Sequence, residues 1–330
     1  MSLKKIVLLG GGVGSSTFTR ALKDLPVQLT TIVSSFDDGG STAAMRRDYG
    51  GIALGDFRQC VLANLDLPEE LLNALNFRFG KGNLYGVNVG NIFLKAFLSQ
   101  FKDQREGVTR LHKILGMKHR VLPISYGFAK LQATLSNGRT LGDQSEIATY
   151  LNFQKAGIKS ISLSREVKIN PDARKAIVEA DYLIFAPGHF FTSVLPHIYV
   201  SGLKDAWLKS RAEKIWFFNL LAHRGQDSFY TLKDYLAWFE NVLGGKVFDR
   251  VIVNEKISRN TLRLVEDRFV PTRILESDLK HLKRRNIKPE IADLVSVVVR
   301  KQPANDSVMR APLRHDAKKI KRYVEKHVIG

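Results

Sequence analysis

The stretch Lys4-Lys5-Ile6-Val7-Leu8-Leu9-Gly10-Gly11-Gly12-Val13-Gly14-Ser15-Ser16 decides how the rest of the chain is read. Lys4–Leu9 has the short apolar character of a strand buried in a parallel sheet, and Ser16–Leu25 reads as the helix that follows it. Four glycines in five positions lie between them. Glycine lets a backbone approach a ligand closely, and a helix N-terminus presents free N–H groups with partial positive charge, so this loop suits phosphate or pyrophosphate. Gly10, Gly11, Gly12 and Gly14 are therefore candidate ligand contacts, with Ser15 beside them. Ser15, Ser16 and Thr17 also read as helix caps. The third glycine of a dinucleotide fingerprint would fall at Ser15. No Gly-x-x-x-x-Gly-Lys-Ser/Thr run is present, which argues against a P-loop NTPase.

Outward from this unit, short β-branched runs alternate with longer amphipathic ones, as in a parallel sheet flanked by helices. Leu29–Val33, Ile158–Leu163, Tyr182–Ala186, Ile215–Phe218 and Val251–Val253 read as strands, with Leu294–Val299 as a late apolar one. Asp172–Ala180 and Thr231–Val242 read as helices. Val121–Ile124, Lys130–Leu135 and Arg139–Leu141 read as a hairpin or meander, the last two joined by the turn pair Asn137-Gly138. The expected fold is α/β: a Rossmann-like three-layer α/β/α arrangement with a mainly parallel sheet, a helical insertion over about 57–115 and a small β-hairpin or meander. One domain over 1–315 is expected, followed by a basic tail or helix over 316–330.

The 330 residues include 51 Lys and Arg against 32 Asp and Glu, a net charge of +19, with 44% hydrophobic residues. That composition builds a globular core and is not that of a disordered chain. Residues 251–330 hold 19 basic against 10 acidic residues, so the charge is concentrated at one end. A solvated helix face accounts for this most simply. A nucleic acid would be attracted to it, but no zinc-finger spacing, RNA-recognition aromatic motif or clear helix-turn-helix supports such a partner. No apolar run approaches the roughly 18 residues of a membrane span. Ile6 to Leu9 is too short for the core of a signal peptide, so a cytoplasmic protein is expected. A single cysteine, Cys60, excludes an internal disulfide, and its apolar helical setting reads as a small buried residue.

Two more loops bear on chemistry. Asp37-Asp38-Gly39-Gly40-Ser41 follows the second strand, and its paired acids could orient a divalent cation on a diphosphate or hold ribose hydroxyls. They also read as an Asx turn. Asp37 and Asp38 are thus the candidates for catalytic and metal-binding roles. Arg46 and Arg58 are candidate phosphate forks, and Asp56 repeats the theme of acid beside base. Ala186-Pro187-Gly188-His189-Phe190-Phe191-Thr192-Ser193 follows another strand at the same sheet edge, where Thr192 and Ser193 offer hydroxyls for binding. Asn91 and Asn219 add amides at element boundaries. The eight histidines show no metal-ligand spacing. No Gly-x-Ser-x-Gly elbow is present, which argues against an α/β-hydrolase.

Taken in order, Gly10-Gly11-Gly12-Val13-Gly14, Asp37-Asp38-Gly39-Gly40-Ser41, Arg46, Gly55-Asp56-Phe57-Arg58, Phe77-Arg78-Phe79, Gly90-Asn91, Pro187-Gly188 with Thr192-Ser193, Pro196 and Asn219 resemble one family. It is the YvcK-type gluconeogenesis factors, relatives of the 2-phospho-L-lactate transferases of the CofD-like superfamily. The resemblance spans about residues 4–255. It implies a Rossmann-like protein that binds a nucleotide or nucleotide sugar, UDP-N-acetylglucosamine above all. Such a protein regulates cell shape, peptidoglycan synthesis and growth on gluconeogenic carbon. The ligand site it implies comprises Gly10, Gly11, Gly12, Gly14, Ser15, Asp37, Asp38, Ser41, Arg46, Asp56, Arg58, Asn91, Gly188, Thr192, Ser193 and Asn219. No cofactor is needed for binding, and a homodimer is compatible with the family. The alternative is a Mg²⁺-dependent transferase that moves a phosphate-linked group from a nucleotide donor to an alcohol. A nicotinamide-dependent oxidoreductase would rest on the glycine loop alone. The chain departs from the family pattern at Val13, Thr42-Ala43, Val87, His189-Phe190-Phe191 and the stretch after Asn219, changes that bear on ligand identity more than on fold.

Overall fold

The computed structural model describes residues 2–37, 45–46, 48–255, 257–263, 265, 268–296 and 311–330. Asp38, Ser41 and the Thr42-Ala43 pair lie outside the described residues. A seven-stranded sheet forms the centre. Its strands are β1 (Lys4–Gly10), β2 (Val27–Val33), β3 (Arg120–Pro123), β7 (Tyr182–Phe185), β8 (Glu213–Phe217), β10 (Arg250–Asn254) and β12 (Lys288–Ala292). They lie in the order β12-β10-β8-β7-β1-β2-β3, with every pairing parallel. From β1 the chain steps outward to β2 and β3, then returns to build β7, β8, β10 and β12 on the other side. The order therefore reverses between β1 and β7, the place where open α/β sheets hold their ligands.

The side chains of β1 show why the sheet is a middle layer. Ile6 and Leu8 enter one apolar cluster, shared with Phe18, Leu22, Ile320 and Val324. Val7 and Leu9 enter a second cluster on the opposite face, with Phe57, Leu111, Ile177 and Phe239. Strand alternation makes this division, and burial on both faces explains why the strand reads as a continuous apolar run rather than an alternating one.

The first helix runs Gly12–Leu22, so it starts four residues before the Ser16 the sequence suggests. Gly12 and Gly14 lie in its first turn, while Gly10 ends β1. Gly11 is the extended N-cap residue, and among the described residues no side chain caps the helix. The serines expected as caps bond elsewhere or not at all. Ser16 Oγ donates to the Val13 carbonyl at 3.0 Å, and Ser15 Oγ is buried with no partner among the described residues.

The expected meander is divided. β3 belongs to the central sheet beside β2. β4 (Leu131–Leu135) and β5 (Thr140–Leu141) form the Asn137-Gly138 hairpin, β6 (Ile158–Leu163) pairs antiparallel with β4 in a separate three-stranded sheet, and β9 (Leu221–His223) pairs antiparallel with β11 (Phe269–Pro271). The helical insertion comprises Leu54–Asn64, Glu69–Asn76, Val89–Leu98 and Gln104–Ile114. Cys60 is fully buried, and burial pushes its thiol well above the usual range.

The late strand expected at Leu294–Val299 is not found where it is described. Val295 makes only an isolated bridge with His315, and residues 297–299 lie outside the described residues. The edge strand is instead Lys288–Ala292, whose Lys-Pro-Glu start gives no apolar signal. The basic segment after Asp316 is helical over Ala317–Val324 and packs on the first helix through Ile320 and Val324, both 0% exposed. Its lysines and arginines occupy the other face, as expected of an amphipathic surface helix.

Candidate functional site

The loops after β1 and β7 meet at the reversal point, and glycine is what lets them meet. A Cβ on Gly14 would lie 1.7 Å from the Pro187 carbonyl oxygen. One on Gly11 would lie 2.3 Å from Asp56 Oδ2 and 3.2 Å from Ser193 Cβ, and one on Gly10 would lie 2.6 Å from Ser15 Oγ. Gly12 adopts φ +62°, in the left-handed region that favours glycine. The uncapped helix start is thereby brought against the Asp56 carboxylate and the residue 187–193 loop. The opening N–H groups of this helix, which have no side-chain cap among the described residues, suit an anion.

A cavity of about 560 Å³ opens over this junction. Gly11, Gly12, Gly14, Asp37, Asp56, Arg58, Asn91, Gly188, Thr192, Ser193 and Asn219 from the expected set all line it. Gly10, Ser15 and Arg46 are not on its wall. The Arg46 guanidinium is buried, donates to the carbonyls of Gly51 and Asp37, and lies 4.7 Å from the Phe128 ring. Asp38 and Ser41 lie outside the described residues.

Several of these side chains are held by named neighbours. Arg58 is only 5% exposed, and its Nε donates to Asn91 Oδ1 at 3.0 Å and its Nη1 to Asn76 Oδ1 at 2.6 Å. Asn91 belongs to the helix capped by Asn88, and Gly90 allows that helix to approach: a Cβ there would lie 2.7 Å from Arg58 Cδ. Asn219 uses both ends of its amide on one residue. Its Oδ1 accepts from Gly188 N at 3.0 Å, and its Nδ2 donates to Gly188 O at 2.6 Å. Asn219 thus locks the loop after β7, a backbone role that the sequence alone did not distinguish from direct ligand contact.

Among the described residues the cavity wall carries the arginines Arg58, Arg78 and Arg314 and the aspartates Asp37, Asp56 and Asp227. Another part is apolar, formed by Leu220, Leu221, Phe269, Ala311 and Leu313. Arg78, which the sequence offered only within the Phe77-Arg78-Phe79 motif and not as a site residue, also lines the cavity, and sequence reading missed the contributions of the helix Gln144–Thr149 and of residues 311–315 returning from the C-terminal end. No motif marks these last two segments, because they reach the cavity only through tertiary packing. His223, near His189, is pushed toward its neutral form mainly by burial. Among the described residues no three His, Cys, Asp or Glu side chains converge as a metal site. No helix among them is long and apolar enough to cross a membrane.

Comparison with known proteins places this arrangement. Residues 6–295 match the family model described as 2-phospho-L-lactate transferase CofD. A gluconeogenesis factor of Bacillus subtilis is 31% identical over 86% of this chain and 89% of its own length. A putative gluconeogenesis factor of Thermotoga maritima is 30% identical over 98% of each chain. Another, from Nostoc, is 35% identical over 76% of this chain, and the match covers 55% of that longer protein. The crystal structure of a UPF0052 family member from Bacillus halodurans aligns with a TM-score of 0.85 at 28% identity, covering 98% of this chain and 99% of that one. The parallel α/β fold is thus shared with a solved UPF0052 protein, and the chain belongs to the CofD-like family, among the YvcK-type gluconeogenesis factors.

Proposed function

We propose that the chain binds a nucleotide sugar of the UDP-N-acetylglucosamine kind in this cavity and acts through that binding as a regulator. The processes regulated are cell shape, peptidoglycan synthesis and growth on gluconeogenic carbon. The observation that carries the reading is the uncapped, glycine-built start of the first helix, opening into a 560 Å³ cavity where the strand order reverses. The diphosphate would lie over Gly11, Gly12 and Gly14 within reach of the arginines. The apolar wall of Leu220, Leu221 and Phe269 suits a base, and Thr192 and Ser193 suit sugar groups. Binding on this reading needs no metal. A homodimer accords with the family resemblance, and light scattering of the purified protein decides that point.

The Asp56 carboxylate lies against Gly11 and Gly12, where it would repel an unneutralised phosphate, and this favours one second reading: a Mg²⁺-dependent transferase. Asp37 and Asp56, with diphosphate oxygens, are the described groups that would share the cation, which would neutralise charge on the leaving nucleotide.

A thermal-shift and calorimetry panel separates the two. UDP-N-acetylglucosamine at about 100 times its dissociation constant should add about 2.7 kcal/mol to stability. A shift that survives EDTA supports the regulator. A shift confined to another nucleotide with Mg²⁺, accompanied by turnover, supports the transferase. A shift with NAD alone would overturn both.

A further inference from the structure

We infer that Thr192 presents only acceptor lone pairs to the cavity, and so selects a hydroxyl or amide N–H of the ligand's sugar portion rather than a phosphoryl oxygen. The inference deepens the nucleotide-sugar reading and, for its ligand, rests on it.

The argument starts at Gln226, which is 0% exposed. Its Nε2 lies 2.5 Å from the Ala148 carbonyl and 3.3 Å from that of Ile147. Carbonyls only accept, so this end of the amide is the nitrogen and Oε1 faces the other way. Oε1 lies 2.8 Å from His189 Nε2 and can only accept, which puts the imidazole proton on Nε2. A neutral imidazole protonated there has a bare Nδ1. That nitrogen is 2.9 Å from Thr192 Oγ1, so the single hydroxyl hydrogen of Thr192 is committed to it. Thr192 keeps only its lone pairs for a ligand, and both it and His189 line the cavity.

The chain of bonds is anchored at its far end. Gly225 adopts φ +83°, and a Cβ there would lie 2.3 Å from the Leu151 carbonyl oxygen. Only glycine brings this turn close enough to set Gln226 under the carbonyls of Ile147 and Ala148.

The consequence is a cavity of opposite hydrogen-bond polarity at two places. The N–H groups at the helix start donate, and suit phosphoryl oxygens, which carry no hydrogen at neutral pH. Thr192 accepts, and suits a ligand group that does. A ligand bearing both is held in one direction.

Two measurements test this. The first is calorimetry of UDP-N-acetylglucosamine and of UDP against the wild type, Thr192→Val and Thr192→Ser. The advantage of the sugar nucleotide over UDP should shrink about tenfold in Thr192→Val and persist in Thr192→Ser. Equal weakening of both ligands by Thr192→Val would overturn the inference. The second is the ¹⁵N imidazole spectrum of the wild-type protein without ligand at neutral pH, with His189 assigned by its loss in His189→Asn. An Nε2-protonated tautomer is expected, and an Nδ1-protonated one would overturn the inference. If neither probe binds the wild type, the nucleotide-sugar reading fails, and the tautomer still decides the polarity of Thr192.

Discussion

Replacement of Gly14 by alanine sets local propensity against tertiary contact, and the two predict opposite signs. Gly14 lies in the first turn of the helix Gly12–Leu22 and is not among the positive-φ glycines. On propensity alone, alanine there should stabilise by about 0.5–1 kcal/mol. The structure predicts a loss. The new Cβ would lie 1.7 Å from the Pro187 carbonyl oxygen and 2.7 Å from its carbon, both backbone atoms. Relief requires the loop after β7 to withdraw by about 1.3 Å simply to reach 3.0 Å. That withdrawal pulls against the Ala186 N–H bonded to Leu9 O at 2.9 Å and against the two Asn219 bonds on Gly188. Overpacking against rigid groups costs about 1–3 kcal/mol, and a backbone neighbour places this substitution at the upper end, about 3 kcal/mol. Thermal unfolding followed by far-ultraviolet circular dichroism should show a fall of about 4 °C. Gly116→Ala is the control: its φ of +58° brings strain with nothing within 4 Å of the added Cβ, so about 1 kcal/mol is expected. Gly14→Ala as stable as the wild type, or more so, would refute the close packing of the two loops.

Asn219→Ala should destabilise by about 2–4 kcal/mol, because it leaves the Gly188 N–H and carbonyl without their partners; a change under about 0.5 kcal/mol in chemical denaturation would contradict the clamp. Arg58→Lys cannot reproduce the paired contacts to Asn91 and Asn76, so affinity for an anionic ligand should fall about tenfold by calorimetry, with stability lowered as well. Ile320→Ala should cost about 2–5 kcal/mol, whereas a solvated tail would tolerate it; the urea midpoint decides. Acid should destabilise in a defined window. Burial holds His112 and His197 down to about 4 in the folded protein, below the histidine value of about 6.5 in an unfolded chain. Unfolding therefore takes up protons as pH falls below about 6.5, and stability should drop toward pH 4 by up to about 2.7 kcal/mol per unit for the two groups. Urea midpoints that stay level from pH 7 to pH 5 would count against this.

Much of the architecture is written in local signals. β1, β2, β7, β8 and β10 are short β-branched runs bounded by turn residues, and burial on both sheet faces produces those runs directly. The Asn137-Gly138 hairpin follows from the left-handed conformation its glycine adopts, at φ +87°. The glycine turn announces a close backbone approach before anything shows what approaches it. Local signals misled where neighbours decide. β3 looks like part of a meander because its sequence does not record that β2 is its partner. β12 is an edge strand whose Lys288-Pro289-Glu290 start carries no apolar pattern, while the apolar run after it forms only a bridge at Val295. Asn219 lines the cavity, but its clamp on Gly188 could not be read from the sequence, because an amide at a loop is equally suited to a ligand or to a backbone.

By itself the sequence determined that this is a parallel α/β protein with a glycine-built helix start, because backbone freedom and strand burial are properties of residues and their immediate neighbours. The tertiary structure alone decided that Arg58 is held by Asn91 and Asn76, and that residues 311–315 return to the cavity. It alone placed Gln226 Oε1 2.8 Å from His189 Nε2 and Thr192 Oγ1 2.9 Å from His189 Nδ1, the contacts from which the polarity of Thr192 is inferred. Those arrangements depend on distances between segments far apart in the chain, which no local pattern encodes.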